Sequence, residues 1–533
     1  MTRRIVVWTA LLASLFAVGW WVGRSSATAP SDLYRNLDIF VEVLQRVRQN
    51  YVDPVESQKL IDAAAQGMLA ELDPYSQLLD EKSWGNLKAT TQGSFGGIGI
   101  VVTVRDNYPT VISPIEGGPA WGLGLRPGDV IVGIDGASSA GLTVEDIVGR
   151  LRGPAGTRVR ITVRREGEVE ETDYTIERQI IVTRAVPYAF MVEGSTGYLR
   201  LASFSERSGA EVRAAVERLR REGAARLVLD LRGNPGGLLD QAVDVVEQFV
   251  KPGTLVVFTR GRSKGQDQRY YASEKQPQID LPLVVLIDQG SASASEIVAG
   301  ALQDLDRALI LGENSFGKGS VQGVFPLRGR NAAVKLTTAL YHTPSGRSIH
   351  QKTRNRSPLA AAAEEEEPSA PPPAAAPDTT PPPRFHTASG RTVFGDGGIR
   401  PDVVVEADSL PPLARRVETR ALAFRFANRW VNQHTAGQAG DAAESMWSDF
   451  LDFLRAEKVV FGAADLERER VWLDRGLRRE LARRSGGDAA AARVALEGDP
   501  VFRRALQVLS RARSTRDVFA RLQNSGPAAP AHR

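Results

Sequence analysis

Two short segments of the chain could together supply a nucleophile and its base. The serine-rich turn at residues 290–296 offers the hydroxyl of Ser293, and residues 316–322 contain Lys318 and Gln322. A lysine can take the proton of a serine once its pKa falls from about 10.4 toward roughly 7–8, and a glutamine can orient it. The chain has no cysteine and only five histidines, so it offers few residues for the commoner pairings of a nucleophile with a histidine base. If the segments meet in space, they predict a serine–lysine hydrolase.

The serine turn has two interpretations. An apolar strand is predicted at 283–287 and a helix after the turn, which puts Ser293 at a helix N-terminus. Free backbone N–H groups there favour a developing oxyanion. The sequence from Ser293 to Glu296 also fits the S-x-x-E capping box, so an ordinary helix cap is the alternative.

The lysine segment favours catalysis over the cap. The residues after Lys318 have an extended pattern, and positions i and i+4 of a strand share a face, so Lys318 and Gln322 are predicted to point into one site. Glycines on both sides would let the backbone and a substrate approach closely. Residues 312–319 also resemble the phosphate-binding pattern GxxxxGK[ST]. That interpretation fails because Gly319 replaces the hydroxyl residue and no helix follows.

A glycine turn at residues 232–237 follows a predicted buried strand. Backbone N–H groups of Gly236 or Gly237 could form half of an oxyanion hole, with the N–H of Ala294 as the other half. An ordinary strand-to-helix turn is the alternative for this segment taken by itself.

The elements around these segments indicate several domains. Residues 30–92 have a helical pattern, and 93–180 consist of short β runs with one helix. An alternating β/α pattern at about 197–340 predicts an α/β core at 181–409, interrupted at 357–385 by an Ala/Glu/Pro-rich insertion whose composition cannot form a packed core. Residues 410–533 are charged and helical. The fold class is therefore multidomain α+β.

The N-terminus predicts export. Arg3 and Arg4 precede an apolar run at 5–23, and the remainder of residues 1–29 ends in an A-x-A-like sequence. This pattern fits a cleaved signal peptide or a retained membrane anchor, and both remain open. The arginines favour a cytoplasmic amino end with everything after the run outside the cytoplasm. We therefore expect a periplasmic or inner-membrane-anchored protein.

Composition excludes some functions. The formal net charge is only +4, and no basic run is interleaved with aromatics, so nucleic-acid binding is not expected. The absence of cysteine excludes a disulfide scaffold and thiol catalysis.

The glycine turn (232–237), the serine turn (290–296) and the lysine segment (316–322), in this order, resemble segments of the carboxyl-terminal processing (tail-specific) proteases, serine peptidase family S41. The resemblance implies a crotonase/ClpP-like core in which Ser293 is the nucleophile, Lys318 the general base and Gln322 its support. It also implies an oxyanion hole from Gly236 or Gly237 with Ala294, and no metal or cofactor. Residues 341–349 and 398–402 are similar to two further family signatures, which the insertion separates here.

The β-rich region resembles a PDZ domain. Residues 95–100 are similar to the carboxylate-binding loop, and 125–131 to a later turn and strand. A PDZ domain captures a free C-terminus by strand addition. The resemblance implies that the loop binds the substrate's C-terminal carboxylate through Gly96, Gly97, Ile98, Gly99 and Ile100.

The resemblance predicts an exported serine endopeptidase that recognises protein C-termini and processes or degrades envelope proteins. Some family members also form homo-oligomers or bind adaptor proteins. Two alternatives remain: a PDZ-bearing adaptor with an inactive protease domain, and a crotonase-like enzyme acting on acyl-thioesters.

Overall fold

The computed structural model describes residues 30–115, 117–165, 168, 170–273, 279–351, 382–433 and 442–524. The predicted signal or anchor at 1–29 and most of the predicted insertion lie outside these residues. Among the helices of the described residues, none has the length and apolarity needed to cross a bilayer. The chain divides into two compact units between Leu78 and Leu79.

The first unit contains two helices, as the periodicity predicts. They are α1 (Pro30–Asn50) and α2 (Ser57–Ala70), followed by a short strand, β1 (Gln77–Leu79), at the boundary between the units. Several apolar side chains of α1 are exposed, among them Leu37, Phe40 and Val41.

The second unit begins with a β-rich module. Its sheet has the strand order β3-β4-β5-β7-β8, with β6 paired to β5, while β2 pairs with β9. Strand β3 is therefore an edge strand that pairs with β4 alone within this described sheet. The elements are α3 (Glu81–Gln92), β2 (Ser94–Gly97), β3 (Ile100–Arg105), β4 (Tyr108–Pro114), α4 (Pro119–Gly122), β5 (Val130–Ile134), β6 (Ala137–Ser138), α5 (Val144–Leu151), β7 (Arg158–Arg164), β8 (Thr172–Glu177) and β9 (Gln179–Val182).

An α/β core follows, built on a six-stranded sheet of order β10-β11-β12-β15-β16-β21. Strand β10 is antiparallel to β11, and the other neighbours are parallel. The elements are β10 (Ala189–Val192), β11 (Thr196–Arg200), α6 (Ser208–Arg221), β12 (Arg226–Asp230), α7 (Leu239–Glu247), β13 (Leu255–Gly261), β14 (Arg269–Tyr271), β15 (Leu283–Ile287), α8 (Ala294–Asp304), β16 (Leu309–Gly312), β17 (Ser320–Pro326), β18 (Ala333–His342), β19 (Arg384–His386), β20 (Thr392–Phe394) and β21 (Val403–Val404).

Strand β15 agrees with the predicted strand, because a continuous apolar run suits a strand buried on both faces. The predicted C-terminal boundary of the insertion, residue 385, is two residues too late. Arg384–His386 forms β19, which pairs antiparallel with β20. This partner lies beyond the insertion and supplies backbone hydrogen bonds that composition alone does not predict.

The C-terminal region is helical, as predicted. Its helices are α9 (Pro412–Thr419), α10 (Leu422–Gln433), α11 (Ala442–Ala456), α12 (Ala463–Leu496), α13 (Pro500–Leu509) and α14 (Thr515–Asn524). Gly487 kinks α12 with a φ of 71°.

The C-terminal helices cover one face of the α/β sheet. Leu229 and Val285 face α6, α7 and α8 in one core, whereas Val228 and Val284 lie in a second core with Phe502 and Leu509 of α13. Successive strand residues point to opposite faces, so both faces must be covered. The C-terminal helices therefore complete the core that carries the serine turn.

Candidate functional site

Ser293 lies where the buried strand β15 turns sharply into helix α8. Its backbone has φ 54° and ψ −110°, in a region that residues other than glycine rarely adopt. Such strain costs about 1–3 kcal/mol and persists only where the surroundings enforce it. Nucleophilic serines occur at strained strand-to-helix turns of this kind. The side chain is almost buried, at 8% exposure.

Glu296 joins the serine turn to the lysine segment. Its buried carboxylate accepts hydrogen bonds from the backbone N–H of Ser293 (2.8 Å) and of Lys318 (2.9 Å) on the same oxygen, Oε2. Its Oε1 accepts from the Ser315 hydroxyl (2.6 Å) and from the Gly317 N–H (2.7 Å). Because one oxygen binds both nitrogens, Ser293 and Lys318 are neighbours in space.

The sequence interpretation of Glu296 was incomplete. The bond from Ser293 N–H to its carboxylate is half of the predicted capping box. The three bonds to residues 315–318 were not predicted, although a carboxylate directly before the apolar residues Ile297 and Val298 was a signal. Burial raises the pKa of the Glu296 carboxyl, and the four donated hydrogen bonds oppose that rise.

The prediction that Lys318 and Gln322 share one strand is wrong. Strand β17 begins at Ser320, after Lys318, and its register with β18 shifts between Val321 and Gln322. A bulge of this kind breaks the alternation on which the i, i+4 argument depends. The amide nitrogen of Gln322 donates to Thr337 (2.9 Å), and its Oε1 is buried with no partner among the described residues.

The glycines beside Lys318 pack against the protein's own backbone. A Cβ at Gly319 would lie 2.5 Å from the nitrogen of His350, and a Cβ at Gly317 would lie 2.9 Å from the Cβ of Gln351. Gly317 also has a φ of 88°. Close packing of residues 350–351 therefore requires glycine at both positions, independently of the predicted substrate approach.

The two predicted signatures meet despite the insertion between them. The N–H of Gly398 donates to the carbonyl of Ile349 (3.1 Å). The neighbouring Ile399 N–H donates to the Ser315 hydroxyl (2.6 Å), which itself binds Glu296. The second signature therefore holds Ser315 in place, and Ser315 in turn binds the carboxylate that contacts the lysine segment.

The glycine turn lies against the serine turn. A Cβ at Gly236 would come within 2.8 Å of the Ser293 Cβ and 3.0 Å of the Ala294 nitrogen. Asn234, which the sequence argument overlooked, connects the two turns. Its carbonyl accepts from Ala292 N–H (3.0 Å) and from the Ser295 hydroxyl (2.9 Å).

The structure distinguishes the two glycines by whether their N–H groups are hydrogen-bonded. The N–H of Gly236 donates to the Asn234 side chain at 2.9 Å, so that donor is occupied. The N–H groups of Gly237 and Ala294 form no hydrogen bond within the described part of the chain. Unpaired donors beside a serine are what an oxyanion hole requires.

Tyr341 lies beside this group of residues. Its N–H donates to the carbonyl of Gly319 (2.8 Å), and its side chain is buried in the core. Burial raises the pKa of its phenol, while the nearby Ser293 hydroxyl acts in the opposite direction.

The predicted carboxylate-binding loop at 95–100 is shorter in the structure: residues 95–97 belong to β2, Ile100 begins the edge strand β3, and only Ile98 and Gly99 lie between the strands. Ile98 is buried in the module's core, and Gly99 has a φ of 74°. The carbonyl of Gly99 accepts from Ile115 N–H (2.9 Å), which fixes the loop. Helix α5, with Ile147 and Leu151 in the same core, completes the module. An edge strand with a free side is the arrangement that strand addition needs.

Three family models match the chain. Peptidase family S41 matches residues 195–355, a PDZ domain matches 110–165, and the N-terminal domain of the activating protease CtpB matches 23–83.

Similar proteins are found among bacterial proteases. A carboxy-terminal-processing protease of Bartonella bacilliformis is 44% identical over 66% of this chain and 80% of its own length. The carboxy-terminal processing protease CtpA of Bacillus subtilis is 34% identical over 65% of this chain and 74% of its own length. The solved photosystem II D1 C-terminal processing protease is 28% identical, covers 70% of this chain and 93% of its own, and has a TM-score of 0.36.

The order of the matched regions agrees with the fold, in which the β-rich module precedes the α/β core. The chain belongs to the carboxy-terminal processing proteases of peptidase family S41 and carries a PDZ domain before its protease core.

Proposed function

We propose that this protein is an exported serine endopeptidase that captures a substrate's free C-terminus with its PDZ domain and cleaves nearby with a Ser293–Lys318 dyad. The observation that carries the proposal is the Glu296 carboxylate, which binds the backbone of both residues beside two unpaired N–H donors. Gln322 would support the lysine, through its unpartnered Oε1. Gly237 and Ala294 would form the oxyanion hole.

The mechanism follows from these roles. The neutral amine of Lys318 accepts the Ser293 proton as the hydroxyl oxygen attacks the scissile carbonyl. The carbonyl oxygen becomes negative and accepts hydrogen bonds from the N–H groups of Gly237 and Ala294. The lysine then donates its proton to the leaving amine, and water hydrolyses the acyl-enzyme by the same steps.

The PDZ loop would bind the C-terminal carboxylate through backbone N–H groups in the segment Gly96, Gly97, Ile98, Gly99 and Ile100. The substrate would add as a strand beside β3. The exposed apolar side chains of α1 would suit contact with a second copy of the chain, and an adaptor protein is a further partner implied by the family.

The dyad is tested with Ser293→Ala and Lys318→Ala, each assayed on an unfolded protein substrate. We expect the cleavage rate to fall roughly 10³-fold or more, while the melting temperature and C-terminal peptide binding stay unchanged. Lys264→Ala removes an exposed lysine and is the matched control. Wild-type activity in Lys318→Ala would rule out the dyad.

The PDZ role is tested with one peptide substrate carrying a free or an amidated C-terminus. We expect the amidated form to be cleaved more slowly, because the carboxylate is lost from the loop. Binding without cleavage by the wild-type protein would favour an inactive adaptor. Hydrolysis of an acyl-thioester in place of peptides would favour the crotonase-like alternative.

Export is tested by fusing residues 1–29 to a reporter phosphatase that is active only outside the cytoplasm. An active fusion is the expected result. Retention of the fusion in the membrane fraction would indicate an anchor at the inner membrane, and its release would indicate a cleaved signal peptide.

A further inference from the structure

The C-terminal helix α13 reaches the glycine turn through a single acidic residue, Asp499. This residue caps α13, with its Oδ1 accepting the N–H of Val501 (2.9 Å) and of Phe502 (3.0 Å). Its other oxygen, Oδ2, lies 2.6 Å from Nη1 of Arg232. One carboxylate therefore both begins the helix and binds the first residue of the turn.

The packing of α13 on the sheet fixes the position of Asp499. Phe502 meets the ring of Tyr198 edge-on, with centroids 5.5 Å apart and an interplanar angle of 90°. Val501 and Leu509 are buried in the same core as strands β12 and β15. Asp499 is therefore attached to a docked helix.

Arg232 belongs to a nearly buried cluster of four charges. Its Nη2 binds the carboxylate of Asp230 at 2.7 Å, and Arg200 binds the same carboxylate at 3.1 Å. The side chains of Arg232 and Asp499 are only 19% and 15% exposed. Two positive and two negative groups balance, and Asp499 supplies the second negative charge.

The cluster stands at the start of the turn that carries the unpaired N–H of Gly237. The carbonyl of Leu231, next to Arg232, accepts from the Ser291 hydroxyl at 2.9 Å. The N–H of Arg232 itself donates to Asp230 at 3.0 Å, so its side chain and backbone are held by one carboxylate. A shift of Arg232 would therefore move the chain leading to Asn234 and Gly237.

We propose that Asp499 is a positioning residue for the oxyanion hole and acts through Arg232. The C-terminal extension, the helical region after residue 409, thus contributes to the geometry of the active site although it touches no reacting atom. This inference rests on the proposed function, since it assumes that Gly237 is a donor to the oxyanion. Donors a few tenths of an ångström out of place lose much of their effect on a developing charge.

The test is Asp499→Asn. Asparagine caps helices as well as aspartate does, so α13 keeps its cap while the cluster loses one negative charge. We expect kcat to fall roughly tenfold with KM, C-terminal peptide binding and the melting temperature unchanged. The affinity for a peptide boronate, which forms a tetrahedral adduct with the serine, should fall by a similar factor.

Glu497→Gln is the matched control. It removes the same charge two residues away, from an exposed pair with Arg478 at 3.0 Å, and should leave kcat unchanged. Asp499→Ser keeps a capping oxygen but is too short to reach Arg232, and gives a second variant should the first fail to fold.

Equal kcat in Asp499→Asn and Glu497→Gln would overturn the inference. So would a loss of kcat that comes with a lower melting temperature and unchanged boronate affinity, because that indicates helix docking alone. Failure of the proposed function gives a different result, namely wild-type cleavage by the Ser293→Ala protein.

Discussion

Among single residues, Glu296 joins the serine turn to the lysine segment. Each of its two oxygens accepts two hydrogen bonds: Oε2 from the N–H of Ser293 and of Lys318, and Oε1 from Ser315 and Gly317. The strained backbone of Ser293 persists only where its surroundings enforce it, and the bond from its N–H to Glu296 is one such constraint. Glu296 therefore sets the distance between the backbones of the proposed nucleophile and base.

We expect Glu296→Gln to impair both activity and stability. An amide NH₂ must replace one oxygen, so two of the four donors lose their acceptor whichever way the side chain points. Buried unsatisfied donors cost about 1–3 kcal/mol, which urea unfolding would detect. The cleavage rate should fall more than roughly tenfold.

Glu313→Gln is the control for this prediction. It makes the same change in the segment after β16, where the carboxylate is partly exposed and accepts weaker bonds from Ala407 (3.2 Å) and Gln289 (3.3 Å). Similar kinetics and stability in the two variants would show that Glu296 is an ordinary helix cap.

Among the elements, the glycine turn after β12 and the serine turn before α8 form one unit. Asn234 ties them through its carbonyl, and Gly236 fills the gap between them. The turns follow neighbouring parallel strands, β12 and β15, so their carboxyl ends meet at one sheet edge. Topology therefore brings together residues that are far apart in the sequence.

Gly236→Ala should separate the two turns. The added Cβ would meet the Ala292 carbonyl oxygen at 2.7 Å and the Ser293 Cβ at 2.8 Å. Gly253→Ala is the matched control, because Gly253 also has a positive φ, 75°, but nothing within 4 Å of the added Cβ. Both variants bear the backbone strain, and only Gly236→Ala should lose cleavage. Equal activity in the two would show that contact between the turns is not needed.

Local patterns predicted the elements better than their contacts. The helices of the first unit and of the C-terminal region are visible because apolar residues recur with the helical period, and β15 is visible because its apolar run is continuous. The face of Gln322 was not predictable, because the bulge in β17 depends on pairing with β18. The occupied N–H of Gly236 and the Asp499–Arg232 pair also arise only from contacts distant in sequence.

At the scale of the whole second unit, the C-terminal extension touches the PDZ module as well as the protease core. The guanidinium of Arg105, at the end of β3, lies 4.4 Å from the ring centre of Phe424 in α10. Nearby, a Cβ at Gly128 would lie 3.1 Å from the side-chain nitrogen of Asn428. The same extension packs on the sheet through Phe502. It therefore connects the edge strand of the PDZ module to the sheet that carries Ser293.

This connection predicts that the PDZ module assists cleavage only while the C-terminal helices hold it in place. A captured C-terminus raises the effective concentration of the adjacent peptide only if the two sites keep a fixed separation. Arg105→Ala removes the guanidinium from Phe424 and should loosen that separation. We expect the ratio of cleavage rates for free and amidated substrates to fall toward one, while the amidated substrate itself is cleaved at the wild-type rate.

Arg164→Ala provides the comparison for Arg105→Ala. It removes an exposed arginine that lies over Tyr108, within the PDZ module, at 5.3 Å. C-terminal peptide binding, measured by fluorescence anisotropy, should be unchanged in both variants, because strand addition beside β3 uses backbone groups and both substitutions remove side-chain atoms only. If Arg105→Ala keeps the wild-type preference for the free C-terminus, the extension does not hold the PDZ module in place. If peptide binding is lost with that preference, the arginine acts within the PDZ module and not through Phe424.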